Sequence, residues 1–234
     1  MLGAMTTTLI TGANKGLGFE TARRLVGAGH DVWVAARDRQ RGRAAAESIG
    51  ARFVELDVTD EASVATAVTT VSAETGLDVL VNNAGIVGRH ATVPETTAED
   101  LREVYETNVL GPVRVLQAFR PLLERSDAPV VVNVSSGMGS LAITSDPARV
   151  ESKFVGLAYP SSKSALNMLT SQWARAYPQM RINAVDPGYT ATDFNHHSGT
   201  QTVEEGAEAI VRLATVGPGG PTGTYQDAAG SIPW

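Results

Sequence analysis

The chain has 234 residues, 43% of them hydrophobic and 19% charged, proportions that suit a globular protein with one well-buried core. Lys and Arg number 19 against 25 Asp and Glu, a net charge of −6. No basic run exceeds Arg23-Arg24 or the scattered Arg37–Arg43 cluster, which argues against nucleic acid as the main partner. With no cysteine, disulfides, thiolate metal sites and a thiol nucleophile are excluded, and no apolar run approaches the length of a membrane span.

The first residues do not read as a signal peptide, so the expected location is the cytoplasm; Met1-Leu2-Gly3-Ala4 reads as an extension ahead of Met5. Residues 7–11 form a β-prone run ending in Gly12. A helical pattern follows from Gly16, with Leu17, Ala22, Leu25 and Val26 on one side and Gly27 and Gly29 ending it. The spacing predicts a second strand over 31–36, a charged helix over 39–49, a third strand over 52–56 and a helix over 61–75. A fourth strand is expected over 78–82, then two helices over 98–108 and 113–125, parted at Gly111-Pro112. A fifth strand covers 129–134, and residues 136–158 read as loop. A helix beginning near Tyr159 buries Leu166, Leu169 and Trp173, followed by a sixth strand over 181–185, a helix over 203–213 and a last strand over 223–227. Continuous apolar strands alternating with helices predict a single α/β domain, a doubly wound parallel sheet of about seven strands with helices on both faces.

Several short stretches carry chemistry. Thr11-Gly12-Ala13-Asn14-Lys15-Gly16-Leu17-Gly18 joins the first strand to the first helix, where glycines let a chain turn tightly and let backbone approach a pyrophosphate at a helix N-terminus. A Walker-type loop needs Gly-Lys followed by Ser or Thr, and Lys15 instead precedes Gly16-Leu17. The second strand ends in Ala36-Arg37, nineteen residues past Gly18, where an acidic residue would suit the ribose of NAD and an arginine suits a 2′-phosphate. Lys15 and Arg37 therefore favour NADP, against the plainer reading of Arg37 as a solvated residue after a strand. Asp57 and Val58, after the third strand, could take an adenine amino group, although an Asp there is equally an N-cap. Asn82-Asn83-Ala84-Gly85 ends the fourth strand with small residues that admit a ligand or make a plain turn.

Ser135 and Ser136 put hydroxyls at the carboxyl edge of the fifth strand, the edge where open α/β sheets bind ligands. Asn108 ends a predicted helix, where a C-cap is the plain alternative. Tyr159-Pro160-Ser161-Ser162-Lys163 sets a phenol and an ammonium four residues apart on one helix face, and Pro160 confines Tyr159 to the helix start. An ammonium beside a tyrosine should pull the phenol down from its ordinary pKa of about 10. Pro187-Gly188-Tyr189-Thr190-Ala191-Thr192 follows the sixth strand with hydroxyls suited to an amide.

In wording and order, TGANKGLG (11–18), LDV (56–58), NNAG (82–85), TNVLG (107–111), VNVSS (132–136), YPSSK (159–163) and PGYTAT (187–192) closely resemble the short-chain dehydrogenase/reductase family, from Thr11 to the last strand. The resemblance implies that Tyr159 is the catalytic acid/base, that Ser136 polarises a substrate carbonyl, that Lys163 holds the nicotinamide ribose and tunes Tyr159, and that Asn108 anchors a water in a proton relay. It implies that Thr192 and the backbone near Thr190 hold the carboxamide, and the Lys15/Arg37 pattern is similar to the NADP-preferring carbonyl reductases. The expected activity is reduction of a small-molecule ketone or aldehyde by NADPH, with NADP-linked alcohol oxidation, 3-oxoacyl reduction and a non-catalytic dinucleotide sensor as rivals. A sensor would be expected to lack Tyr or Lys, and both are present.

The 23 positions from Ser136 to Tyr159 exceed the family's usual spacing, and the extra segment, Asp146 to Lys153, either shapes the substrate pocket or is solvated. The pocket is expected from loops 137–158 and 187–203, with Met138, Leu141, Tyr189 and Phe194 as candidate lining and a moderately hydrophobic carbonyl compound as occupant. Family analogy alone favours a homodimer or tetramer. His196-His197 would point apart in an extended segment, and no metal is expected.

Overall fold

The computed structural model describes residues 5–234; the Met1–Ala4 extension lies outside them. Eight strands form one sheet in the order β3-β2-β1-β4-β5-β6-β7-β8. They are β1 (Thr7–Thr11), β2 (Asp31–Ala36), β3 (Arg52–Glu55), β4 (Val79–Asn82), β5 (Val130–Val134), β6 (Arg181–Val185), β7 (Tyr225–Asp227) and β8 (Gly230–Ser231). The first seven pair in parallel, and β8 adds an antiparallel edge that was too short to be read from sequence. The sheet is therefore one strand wider than the expected seven. The α-helices are α1 (Gly16–Gly27), α2 (Arg39–Ile49), α3 (Glu61–Glu74), α4 (Ala98–Tyr105), α5 (Gly111–Leu123), α6 (Leu141–Thr144), α7 (Ala158–Ala176) and α8 (Val203–Ala214).

Alternate strand residues feed two hydrophobic layers, as the pleat requires. Leu9, Trp33, Leu80, Val131 and Ile182 join Val64, Phe119, Leu166 and Trp173 on one face. Ile10, Val34, Val81, Val132 and Val185 join Ala22, Leu25, Ile210 and Leu213 on the other. Because both faces are covered, the inner strands β2, β4 and β5 are apolar with little alternation. Helix starts follow local chemistry: Asp38 caps α2, Asp60 caps α3, and Thr202 with Glu205 makes a capping box on α8. Asp57 is not the cap that its position after β3 suggested, since its Oδ1 accepts from Thr59 N at 2.9 Å and Thr59 Oγ1 at 2.7 Å instead.

Two stretches depart from the expected elements. The two helices around Asn108 are continuous: a π-turn over Glu106–Leu110 joins α4 to α5, with the Gly111 N–H reaching back to the Glu106 carbonyl. Pro112 cannot donate, so the chain widens by one residue here instead of breaking. Residues 136–158 are not plain loop either. They contain 3₁₀ turns at Gly137–Gly139 and Val150–Lys153 with α6 between, pieces too short to show a helical period.

The sheet order reverses between β1 and β4, which lie side by side although β2 and β3 run off the other edge of β1. At such a reversal the connections diverge and leave a crevice at the carboxyl ends of the strands.

Candidate active site

The crevice is a cleft of about 1210 Å³, larger than the roughly 300–1,000 Å³ of an ordinary small-molecule site and so roomy enough for two ligands. Its floor is stitched where β1 and β4 end. Thr11 Oγ1 accepts from Asn83 N and Ala84 N, each at 3.0 Å, while Asn83 Nδ2 donates to the carbonyls of Thr11 (2.8 Å) and Gly12 (3.2 Å). Gly12 and Gly16 hold φ of +64° and +56°, a region that L-residues rarely enter. A β-carbon at Gly18 would run into Asn83 Nδ2 and lie 2.9 Å from the Gly12 oxygen and 3.0 Å from Ala13 Cα. Gly18→Ala should therefore lower the melting temperature, with a cost of about 1–3 kcal/mol from overpacking, and weaken nucleotide binding. A thermal melt with and without NADPH checks it, and a wild-type melt with unchanged binding would refute the close packing.

Gly12, Asn14 to Gly18, Arg37, Asp57, Val58 and Asn83 to Gly85 all line the cleft. Arg37 is exposed at the end of β2. The carboxylates near it are committed elsewhere: Asp38 accepts from Arg41 N at 3.0 Å, and Glu55 pairs with Arg39 at 3.2 Å. Lys15, the other expected cation, is engaged: its Nζ lies 2.9 Å from Asp193 Oδ2. Both partners are exposed, so the pair is worth about 0–1 kcal/mol and is easily exchanged. Val58 turns its carbonyl to Arg114 Nη1 at 2.6 Å.

Ser136, Tyr159 and Lys163 meet in this cleft. The two serines at the end of β5 part company, Ser135 pointing into α7 to bond Asn167 Oδ1 at 2.6 Å while Ser136 accepts from Met138 N at 3.3 Å. Helix α7 starts at Ala158, so Pro160 falls in the first turn, where its missing N–H costs nothing. Lys163 is 4% exposed and its Nζ donates to the Val134 carbonyl at 2.8 Å, one acceptor for an ammonium with three donors. The same Nζ lies 5.6 Å from the centre of the Tyr159 ring.

The electrostatics differ from the sequence expectation. Burial in the cleft pushes the Tyr159 phenol well above its ordinary value, although the Ser136 hydroxyl beside it acts in the opposite direction. Burial also pushes the Lys163 ammonium down to about 8. Loss of water penalises both charged forms and is the leading cause of each shift, so the phenol lies above its ordinary value, not below it as the i, i+4 spacing suggested.

Asn108 is fully buried, and its side chain is spent on structure. Oδ1 accepts from Ile86 N at 2.8 Å, while Nδ2 donates to Ile86 O at 2.9 Å and Ser162 Oγ at 3.1 Å. Pro112, four residues on, has no N–H, so the Asn108 carbonyl lacks its α-helical donor.

Pro187 to Ser198 form another wall. Thr190 turns inward to donate to the Pro187 carbonyl at 3.1 Å, and Thr192 starts a 3₁₀ turn over Asp193–Asn195. Met138, Tyr189 and Phe194 line the cleft, with Phe194 edge-on to Tyr159 at 5.6 Å. Leu141 does not: it is 72% exposed on α6. The long segment before Tyr159 lines the cleft with its later part, Lys153 to Ala158. Phe154, Val155 and Leu157 there, like Ile86 and Val87 after β4, escaped the sequence reading because single apolar residues in a loop carry no period. His196 and His197 are not extended, having φ of 53° and 58°; His197 Nε2 lies 3.0 Å from Asp193 Oδ1.

Residues 6–203 match the family model described as short chain dehydrogenase. The (+)-neomenthol dehydrogenase of Arabidopsis thaliana is 36% identical over 267 aligned positions, spanning 88% of this chain and 90% of that protein. The (-)-isopiperitenone reductase of Mentha piperita is 33% identical, spanning 93% and 94%. Among solved structures, NADPH-bound carbonyl reductase from chicken fatty liver superposes with a TM-score of 0.84 at 29% identity, covering 98% of this chain and 99% of its own. The motifs at the strand ends, the cleft at the sheet's reversal and these relatives agree, and the protein belongs to the short-chain dehydrogenase/reductase family of oxidoreductases.

Proposed function

We propose that the protein uses NADPH to reduce a ketone or aldehyde to an alcohol, reversibly, with Tyr159 as the proton donor. The observation that carries this reading is the meeting of Ser136, Tyr159 and Lys163 in the cleft that the glycine turn also lines. The residues fit a dinucleotide: two glycines hold left-handed turns, a third leaves no space for a β-carbon, and Arg37 stands free of the nearby carboxylates. Residues 12–18, Arg37, 57–58, 83–85, Pro187, Gly188, Thr190 and Thr192 would hold it, and Lys163 would grip its nicotinamide ribose with the donors that Val134 leaves unused. When bound, NADPH supplies the hydride.

The chain's own residues do the rest. Ser136 and Tyr159 aim hydroxyls at the carbonyl oxygen, where negative charge develops, and one such donor is worth roughly 2.7–4 kcal/mol. A phenol held above its ordinary pKa stays protonated before the reaction and can give its proton to an alkoxide. The Asn108 carbonyl, deprived of its helical donor, suits a water that passes protons inward from solvent. Met138, Phe154, Tyr189 and Phe194 favour a moderately hydrophobic substrate held between loops 137–158 and 187–203.

A panel of ketones and aldehydes, monitored by loss of reduced-nicotinamide absorbance, tests the reading; turnover of none of them by NADPH would refute it. Arg37→Ala should weaken NADPH about 10- to 100-fold, the worth of a hydrogen bond to a charged group, and leave NADH nearly unchanged. Equal losses for the two nucleotides in a binding titration would remove the 2′-phosphate role.

A further inference from the structure

The peptide unit joining Ser136 to Gly137 is gripped at both of its polar atoms. Its carbonyl accepts the Tyr225 phenol at 2.5 Å and the Gly139 N–H at 2.7 Å. Its N–H faces the Asp186 carboxylate, whose Oδ1 also accepts the Gly188 N–H at 3.0 Å. The contact is tight, since a β-carbon on Gly137 would lie 2.9 Å from Asp186 Oδ2 and from Glu151 Oε1. On the other side of Ser136, the Ser135 N–H is fixed to the Val185 carbonyl at 2.7 Å. With the backbone held before and after it, the direction of the Ser136 side chain is set.

Tyr225 lies on β7 and is 1% exposed. Its ring stacks on Trp234 at 5.3 Å with the planes 20° apart. The same tail meets the segment after Ser136, because Ser140 Oγ donates to the Pro233 carbonyl at 2.8 Å and Ala142 N to the Trp234 carbonyl at 3.3 Å. Burial, and then the Asp186 carboxylate, hold the Tyr225 phenol above its ordinary pKa, so it remains a donor at working pH.

We propose that Tyr225 and Asp186 are positioning residues for the reduction, fixing the Ser136–Gly137 peptide plane and through it the aim of the Ser136 hydroxyl. The inference rests on the reading of Ser136 as the group that orients the carbonyl. It assigns work to β7 and the C-terminal tail, far along the chain from Tyr159.

Tyr225→Phe removes the donor and keeps the ring that stacks on Trp234. It should lower kcat about tenfold, the scale of one hydrogen bond, with KM for the ketone and the affinity for NADPH changed by less than about twofold. In a Ser136→Ala background the same change should cost less than about twofold, because the group being aimed is gone. Amide exchange in a peptide spanning residues 135–140 should quicken in Tyr225→Phe while the core strands keep wild-type protection, a readout that needs no turnover. Asp186→Asn, which keeps an acceptor but removes the charge, should show the same split in weaker form, and it replaces Tyr225→Phe should that variant fail to fold. Equal losses from Tyr225→Phe in both backgrounds, or wild-type kcat and exchange, would overturn the positioning role alone. Full turnover by Ser136→Ala would remove the underlying reading and this inference with it.

Discussion

Tyr159→Phe is expected to bind NADPH as the wild type does and to lose turnover by a factor of about 10²–10⁴, the range that a positioned general acid contributes. The substitution deletes one hydroxyl. The ring keeps its edge contact with Phe194, and the first turn of α7 keeps Pro160. Nothing in the glycine turn or at Arg37 touches the lost oxygen, so nucleotide affinity should change little. The phenol is poised as a donor: the cleft holds its pKa above the ordinary tyrosine value, so it enters the reaction protonated. Ser136 remains as a hydrogen-bond donor, which is why residual activity above the uncatalysed rate is expected. NADPH titration by fluorescence and initial rates with the best ketone of the panel measure the two halves separately. Retention of more than a tenth of the wild-type kcat would mean that another group supplies the proton.

How much of this was legible beforehand follows from which signals are local. The glycine turn was readable because Gly12 and Gly16 take positive φ and Gly18 needs space, demands that glycine meets best and that fall between a strand and a helix. The strand ends were readable because a buried parallel strand is a continuous apolar run, and the first polar residues after it, such as Ser136 and Asn83, fall at the carboxyl edge. Asn108 misled as a helix end, since a π-turn followed by Pro112 carries no sequence period of its own. Leu141 misled because closeness in sequence to Ser136 says nothing about which way a four-residue helix faces. Tyr225 and Asp186 gave no signal at all: their importance lies in hydrogen bonds to one peptide unit 89 and about 50 residues away, set by the pairing of β5, β6 and β7. The Tyr159 phenol is shifted up and not down for a related reason. Spacing reports that two groups are neighbours, and only the folded surroundings report how much water they lose.

Lys163→Met should separate stability from activity, and in a pH-dependent way. The ammonium is buried with one acceptor, the Val134 carbonyl, and its pKa falls from an ordinary 10.5 to about 8. Below about pH 8 both folded and unfolded chains carry the proton, and the folded state bears the full penalty of burying it, on the order of 3 kcal/mol. Between about 8 and 10.5 the unfolded chain binds a proton that the folded chain has released, so the stability of the wild type rises with pH; above that window it levels off. Methionine has a similar length and no charge, so this contribution is absent from the variant, whose only new cost is the unpaired Val134 carbonyl, about 1–3 kcal/mol. Near pH 7 the two chains should therefore be of similar stability, and the wild type should gain on the variant steadily toward pH 10, measured by urea unfolding of each without nucleotide. A difference that stays flat across the window would mean that Lys163 is solvated in the free protein. Activity should fall at every pH, including near pH 7 where stability is unchanged. The variant has no donor for the ribose and no cation beside the phenol, so kcat should fall about 10²-fold or more while the fold is intact. A buried ammonium that gains the chain no stability near pH 7 and lies beside a proton donor has the energetics of a working group, since its burial carries a penalty that methionine avoids.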